Sequence, residues 1–111
     1  MRIYTNEDGS LFANVLNESP GEQDGHHYHL HSGELTTELH FQQGPVKEVG
    51  VNGIQNEQLI AVLVHRLGVL NRAFPCRVNS LAITKLEEAL LWLEKRTADR
   101  KARGVEGTNQ T

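Results

Sequence analysis

The sequence lacks several features that define whole classes of protein. It contains one cysteine, Cys76, so an internal disulfide is impossible and a reducing compartment is the expected setting. No run of about 18 apolar residues is present, and the sequence therefore predicts no membrane-spanning helix. The first residues turn polar at Asn6 and Glu7, so we expect no signal peptide. Aromatic residues make up only 5% of 111 residues, which limits the core that one chain can build.

The formal net charge is only −3, but the charged residues are unevenly distributed. Residues 1–60 carry nine acidic and two basic residues, whereas residues 61–111 carry nine basic and five acidic residues. The basic second half indicates an anionic partner. The acidic first half and an isoelectric point of about 6.0 disfavour a long nucleic acid, so a compact anionic ligand fits the sequence better.

The first half of the chain has the pattern of a β-sheet. Short β-prone runs between turn-forming residues predict four strands, at residues 2–5, 11–16, 27–31 and 34–42. Asp8 and Gly9 form a tight-turn sequence, and residues 17–25, with Pro20 and Gly21, are expected to form a loop. Because the connections are too short for crossovers, we expect an antiparallel sheet. Residues 46–51 are expected to add a further extended segment.

The second half has the pattern of two helices. The first is predicted at residues 55–70, with Asn52 as its N-cap. The second is expected to begin at Asn79 or Ser80, run to about Arg103 and end at Gly104. Apolar residues recur in steps of three and four on each helix, which predicts the seam of an antiparallel hairpin. The predicted seam residues are Ile60, Leu63, Leu67 and Leu70, and then Ile83, Leu86, Leu90 and Leu93.

These elements together predict an α+β fold, with an N-terminal antiparallel sheet followed by a C-terminal antiparallel helical hairpin. We expect a single domain over residues 1–111, made of a β-rich part at 1–51, a hairpin at 52–104 and a polar tail at 105–111. One hairpin cannot cover Leu81, Leu91 and Trp92 as well as its own seam. The sequence therefore predicts that chains associate into an oligomer.

Two residue groups suggest chemistry but have a simpler interpretation. His26, His27, His29 and His31 form a histidine-rich run, and on a strand the last three would share a face that could bind a transition metal. No further ligand motif accompanies them, so we expect a polar strand face and predict no metal and no cofactor. Cys76 also lacks the sequence context of a nucleophile and is expected to be a small buried loop residue.

The predicted hairpin loop and the end of the second helix are the more informative segments. Phe74, Arg77 and Asn79 offer a ring, a guanidinium and an amide within six residues, which suits a nucleotide. The alternative is a Phe-Pro plug that closes the hairpin, with Asn79 as a helix cap. Arg96, Arg100 and Arg103 share one helical face and suit a phosphate-rich ligand, although cations that complement the helix dipole give the same pattern.

Three blocks of sequence carry a family resemblance: GPVKEVGVNG at residues 44–53, FPCRVNSLAITKLEEA at residues 74–89, and the stretch from Trp92 to Thr108 that holds Arg96, Arg100 and Arg103. Together they resemble the phage anti-Thoeris sponge family. The helix that contains Thr-Lys-Leu-Glu-Glu-Ala is also similar to that of the anti-CBASS phage sponge. The resemblance covers residues 41–108, and the histidine-rich strand lies outside it.

The resemblance implies a phage protein in the host cytoplasm that binds cyclic nucleotide immune signals without cleaving them. The signals are glycocyclic ADP-ribose isomers and, at a second site, cyclic dinucleotides or trinucleotides. It implies a dimer or a hexamer, with no membrane or long nucleic acid as partner. The implied ligand-binding residues are Phe74, stacked on adenine, Arg77 and Asn79 on phosphate or ribose, Thr84, Lys85 and Glu88 beside them, and Arg96, Arg100 and Arg103 at the second site.

Two other functions remain open at this point. An enzyme could degrade the same signals, although the sequence shows no metal-ligand set, nucleophile triad or paired acids that would predict catalysis. A small phage regulator could instead bind DNA through Arg96, Arg100 and Arg103.

Overall fold

The computed structural model describes residues 1–16 and 25–104, and these fall into two compact units. The first unit is Met1–Ile54 and the second begins at Gln55. The predicted loop at 17–25 and the polar tail at 105–111 lie outside the described residues, apart from Gly25. No helix in the described ranges is long and apolar enough to cross a membrane.

The first unit contains the predicted antiparallel sheet, in the order β1-β2-β3-β4. Its strands are β1 (Arg2–Thr5), β2 (Leu11–Leu16), β3 (His27–Ser32) and β4 (Leu35–His40). Gly9 has a φ of 77°, which the turn between β1 and β2 requires and which few other residues adopt. Asp8 completes this turn, because its carboxylate accepts hydrogen bonds from the amide and the hydroxyl of Ser10, at 2.9 and 2.6 Å.

The sheet has a thin apolar core. Val15 is the only apolar side chain that is buried among residues 1–16 and 25–104. On the sheet, Phe12 stacks on His31 with ring centroids 4.4 Å apart, and the Arg2 guanidinium lies 3.9 Å from the centre of the Phe12 ring. Stacking and cation–π contacts therefore supplement the small buried area.

The segment after the sheet differs from the prediction. Residues 46–51 were expected to be extended, but α1 (Val46–Val49) forms a single helical turn. Pro45, with φ fixed at −67°, precedes this turn, and its carbonyl accepts the Val49 amide at 2.9 Å. The expectation failed because the two valines suggest a strand, whereas the proline before them favours the start of a helix.

Asn52 is also not the predicted helix cap. Its side chain instead accepts the Gln43 amide at 2.8 Å and donates to the Gln43 carbonyl at 2.7 Å. Beyond it, Phe41 and Ile54 form a parallel bridge, with Gly53 packed against the Phe41 backbone. Asn52 therefore joins the two ends of the loop at residues 43–52, which follows the sheet within the first unit.

The second unit is a helical hairpin made of α2 (Asn56–Ala73) and α3 (Arg77–Ala102). The cap of α2 is Gln55, whose amide donates to the Gln58 side-chain oxygen at 2.8 Å, as in one half of a capping box. The cap of α3 is Cys76, so neither Asn79 nor Ser80 has the predicted role. Local sequence favoured those polar residues as caps, but Asn71 from the end of α2 supplies the missing acceptor to the Cys76 amide at 2.9 Å.

The two helices pack along a seam that agrees with the prediction on α3 and differs on α2. On α3 the predicted residues Ile83, Leu86, Leu90 and Leu93 are all half-buried. On α2 the half-buried positions include Ile60, Val64, Leu67 and Asn71, whereas Leu63 and Leu70 are exposed. The helix is therefore rotated from the predicted orientation, because either set of positions satisfies helical spacing.

The predicted end of α3 is confirmed. Arg103 is the C-cap residue, and Gly104 follows with a φ of 74°. The Gly104 amide donates to the Lys101 carbonyl at 3.0 Å, which satisfies one of the free carbonyls at the helix end.

Candidate functional site

The first cluster of predicted binding residues lies where α2 meets α3. Phe74 is the C-cap of α2, and 79% of its surface is exposed. Arg77 is the first residue of α3 and is also exposed, while Asn79 is half-buried within the first turn. The alternative of a Phe-Pro plug with Asn79 as cap therefore does not hold in the single chain. A flat ring and a guanidinium instead face solvent together.

The electrostatics of this cluster favour an anion. The first turn of α3 contains no acidic residue, and its cap makes no side-chain hydrogen bond. The positive end of the helix dipole therefore adds to the charge of Arg77 rather than being neutralised. Cys76, expected to be buried, is exposed at this helix start.

Thr84, Lys85 and Glu88 follow on the same side of α3 as Arg77, because they lie 7, 8 and 11 residues further along. The Thr84 hydroxyl donates to the Ser80 carbonyl at 3.0 Å, and Lys85 lies 4.0 Å from the Glu88 carboxylate. The Lys85–Glu88 pair is exposed and nearly neutral, so it offers hydrogen-bonding groups rather than net charge. These residues extend the first cluster about 16 Å along α3.

The second cluster lies at the other end of α3 and forms a groove of about 310 Å³. The groove is lined by Trp92, Lys95, Arg96, Asp99, Arg100 and Arg103. Lys95 donates to Asp99 at 2.8 Å, and the groove is also lined by three arginines. Arg100 is buried, with 7% of its surface exposed, whereas Trp92 is 64% exposed.

Sequence reasoning predicted the three arginines of this groove but missed Trp92 and Lys95. Trp92 was interpreted only as an apolar residue for chain association. The signal was present in the spacing, because Trp92, Arg96 and Arg100 follow one another at intervals of four residues along one helix face. An aromatic ring beside guanidinium groups suits a ligand that has both bases and phosphates.

The two clusters are centred on different parts of α3, although Glu88 and Trp92 at their adjoining edges are only four residues apart. Arg77 and Arg100 are separated by 23 residues of continuous helix, which corresponds to about 35 Å. The nine predicted binding residues therefore form two groups along α3 rather than one. A single small ligand cannot contact both Arg77 and Arg100 of one chain.

Comparison with known proteins identifies the family of the chain. The sequence model of the family described as "Acb2/Tad1, hairpin domain" matches residues 37–98, more than half of the chain. The match includes α2 and most of α3, but Arg100 and Arg103 lie beyond it. The chain is also 58% identical over 80 residues to "Thoeris anti-defense 1" of Bacillus phage SBSphiJ7. That alignment covers 71% of this chain and 56% of the relative, so the chain spans little more than half of the relative's length.

These findings confirm the resemblance to the anti-Thoeris family that the sequence blocks carry. The chain therefore belongs to the Acb2/Tad1 family, because it contains the hairpin domain of that family, which begins within β4 and includes α2 and most of α3.

Proposed function

We propose that this chain is a non-enzymatic sponge that binds cyclic nucleotide immune signals in the host cytoplasm and keeps a defence effector inactive. The observation that carries the proposal is the pair of basic and aromatic clusters at the two ends of α3. Family membership supports an anti-defence role, and the clusters supply the chemistry of nucleotide binding.

The first cluster is proposed to bind a glycocyclic ADP-ribose isomer. Phe74 stacks on the adenine, and Arg77 and Asn79 bind phosphate or ribose. The exposed ring needs no rearrangement to accept a base, and the start of α3 adds backbone N–H groups for phosphate oxygens. Thr84, Lys85 and Glu88 provide further hydrogen bonds along the helix.

The basic groove is proposed to bind a cyclic dinucleotide or trinucleotide through Arg96, Arg100 and Arg103. Four of the six residues that line the groove are basic, and arginine guanidinium groups can each donate two parallel hydrogen bonds to a phosphate. Trp92 offers a base a flat surface beside these charges. A long nucleic acid is disfavoured because the acidic residues are concentrated in the other half of the chain.

The protein is proposed to act as a dimer or a hexamer, with pockets completed between copies. Val78, Leu81, Leu91 and Trp92 leave an exposed apolar face on α3. On α2, Val62 and Val69 line another groove of about 520 Å³, which is mostly apolar, unlike the basic groove on α3. A sponge needs high affinity, and nanomolar binding corresponds to about −12 kcal/mol. A second copy that covers these faces would enclose a ligand that one open surface cannot.

The direct test is recovery of the ligand. The chain is incubated with cyclic ADP-ribose isomers or cyclic oligonucleotides, separated from unbound ligand, and denatured. A sponge returns the ligand with unchanged mass and retention time. A new product peak would instead show an enzyme. A DNA gel shift that weakens steeply with salt, without retention of small ligands, would show a DNA-binding regulator.

Matched variants test the two sites separately. Phe74→Ala is expected to weaken ADP-ribose binding about 5- to 150-fold, since base–aromatic stacking contributes roughly 1–3 kcal/mol. Tyr4→Ala, another exposed aromatic residue, serves as its control. Arg96→Ala is expected to weaken oligonucleotide binding by a similar factor. Lys101→Ala is its control, because Lys101 does not line the groove. Equal loss of both ligands in both site variants would contradict two separate sites.

A further inference from the structure

The histidine-rich strand acquires partners that its own sequence does not show. In the β3–β4 pairing, His29 lies directly opposite Glu38 and His27 lies opposite His40. Alternate residues of a strand share a face, and directly paired residues share it across strands. The sheet therefore places three imidazoles around one carboxylate.

The distances show that these groups converge. The Nε2 atoms of His29 and His27 lie 3.0 and 3.8 Å from the two carboxylate oxygens of Glu38, and His40 Nε2 lies 3.3 Å from one of them. The His27 ring stacks on the His40 ring with centroids 3.8 Å apart and meets the His29 ring edge-on at 5.2 Å. Each ring is thus held by its neighbours, with its Nε2 atom within 4 Å of a carboxylate oxygen.

The fourth histidine on this face, His31, makes different contacts. Its ring stacks on Phe12, and its Nδ1 lies 3.4 Å from the Thr36 hydroxyl. The cluster therefore consists of His27, His29, Glu38 and His40. We refer to it as the β3–β4 cluster.

The β3–β4 cluster has the donor set and spacing of a transition-metal site. One ligand atom from each of His27, His29 and Glu38 can be chosen so that all three lie within 4.8 Å of one another. Tetrahedral Zn²⁺ with bonds of about 2.0–2.2 Å needs ligand atoms about 3.4 Å apart. The required contraction is thus about 1.4 Å at most, which small side-chain rotations can supply.

Burial and charge in the cluster also suit a metal. The His27 and His29 side chains are 14% and 27% exposed, whereas Glu38 is 55% exposed and leaves a route from solvent. Glu38 thus offers its carboxylate to an ion at the solvent side of two more buried imidazoles.

We propose that His27, His29 and Glu38 bind a divalent transition-metal ion such as Zn²⁺, which holds β3 to β4. His40 is the positioning residue, since it hydrogen-bonds to the carboxylate that binds the metal. Imidazole and carboxylate together favour Zn²⁺ and its neighbours over Ca²⁺ or Mg²⁺, which prefer oxygen ligands alone. This replaces the sequence expectation of a polar strand face without a metal.

The site is tested by titrating Zn²⁺ into tag-free, chelator-treated chain and measuring heat release. One ion per chain is expected, with no comparable binding of Mg²⁺. His29→Gln and Glu38→Gln are each expected to weaken Zn²⁺ binding at least about tenfold. His65→Gln is the control, because His65 lies on α2 in the second unit. It is expected to bind Zn²⁺ like the unaltered chain.

A second readout separates loss of the site from loss of the fold. The exposed Glu38 can be replaced with little effect on packing, so far-UV circular dichroism of Glu38→Gln without metal should equal that of the unaltered chain. Co²⁺ bound to the unaltered chain should give the intense visible absorption of a tetrahedral ion, and Glu38→Gln should lose it. Equal Zn²⁺ affinity in the unaltered chain and both site variants would overturn the proposal. Its outcome is independent of nucleotide binding, which depends on the hairpin.

Discussion

A methyl group at Gly53 provides a sharp test of the loop that follows the sheet. A Cβ atom built there would lie 2.5 Å from the Phe41 carbonyl carbon and 2.6 Å from both the His40 and the Phe41 oxygens. These contacts are about 1 Å closer than van der Waals distance. All of the atoms belong to the backbone, so no side chain can rotate away to relieve the overlap.

The cost can be estimated from what must move. The Ile54 amide donates to the His40 carbonyl at 2.8 Å, and the Gln42 amide donates to the Ile54 carbonyl at 2.8 Å. Overpacking costs about 1–3 kcal/mol, and each weakened hydrogen bond adds about 0.5–1.5 kcal/mol. We therefore expect Gly53→Ala to lower the free energy of unfolding of the first unit by about 3 kcal/mol.

The assay is urea unfolding followed by far-UV circular dichroism, combined with amide hydrogen exchange of Gln42 and Ile54. With a slope of about 1.5 kcal/mol per molar urea, the midpoint should fall by about 2 M, and both amides should lose protection. Gly68→Ala is the matched control, because apart from the adjoining backbone of α2 itself nothing lies within 4 Å of its added methyl group. It lies inside α2 and should raise helix stability by about 1 kcal/mol. A Gly53→Ala midpoint within 0.3 M of the unaltered chain would refute the close approach.

Three further predictions concern the loop that Asn52 holds, the basic groove on α3 and the turn between β1 and β2. Asn52→Ala should cost about 1–2 kcal/mol in urea unfolding, because it removes both hydrogen bonds to the Gln43 backbone, whereas an unchanged midpoint would contradict their role. Trp92, the only tryptophan, should change its fluorescence when a cyclic oligonucleotide enters the groove but not when a cyclic ADP-ribose isomer binds. The Ser10 hydrogen bonds lower the pKa of Asp8 below its usual 3.8, so the turn is stabilised above that pH and loses this contribution as pH falls through the lowered pKa. NMR titration of the Asp8 carboxyl group should show the lowered pKa, and Ser10→Ala should raise the pH at which Asp8 titrates.

Some elements of this fold depend only on residues that are close in sequence, and others depend on contacts between distant residues. The strands and α3 were predictable because hydrophobic spacing and turn residues act within a few positions. The predictions of Asn52 and Asn79 as helix N-caps were wrong for the same reason. A polar residue before a helix favours a cap locally, but Asn52 bonds to a backbone nine residues away, and Asn71 from α2 completes the start of α3.

The binding residues show the same division. The arginines of the groove were predictable from their spacing along one helix. By contrast, the orientation of α2 was not, since Ile60 fits two alternative seams and only packing against α3 selects one.

The sequence by itself determined the family, the α+β order of elements and the basic, aromatic character of both ends of α3. It did so because these properties depend on composition and on spacing within single segments. Only the tertiary structure decided that His29 faces Glu38 and that His27 faces His40. The reason is physical: a one-residue change of strand register would move Glu38 to the other face of the sheet, and register depends on the pairing of strands rather than on either strand alone.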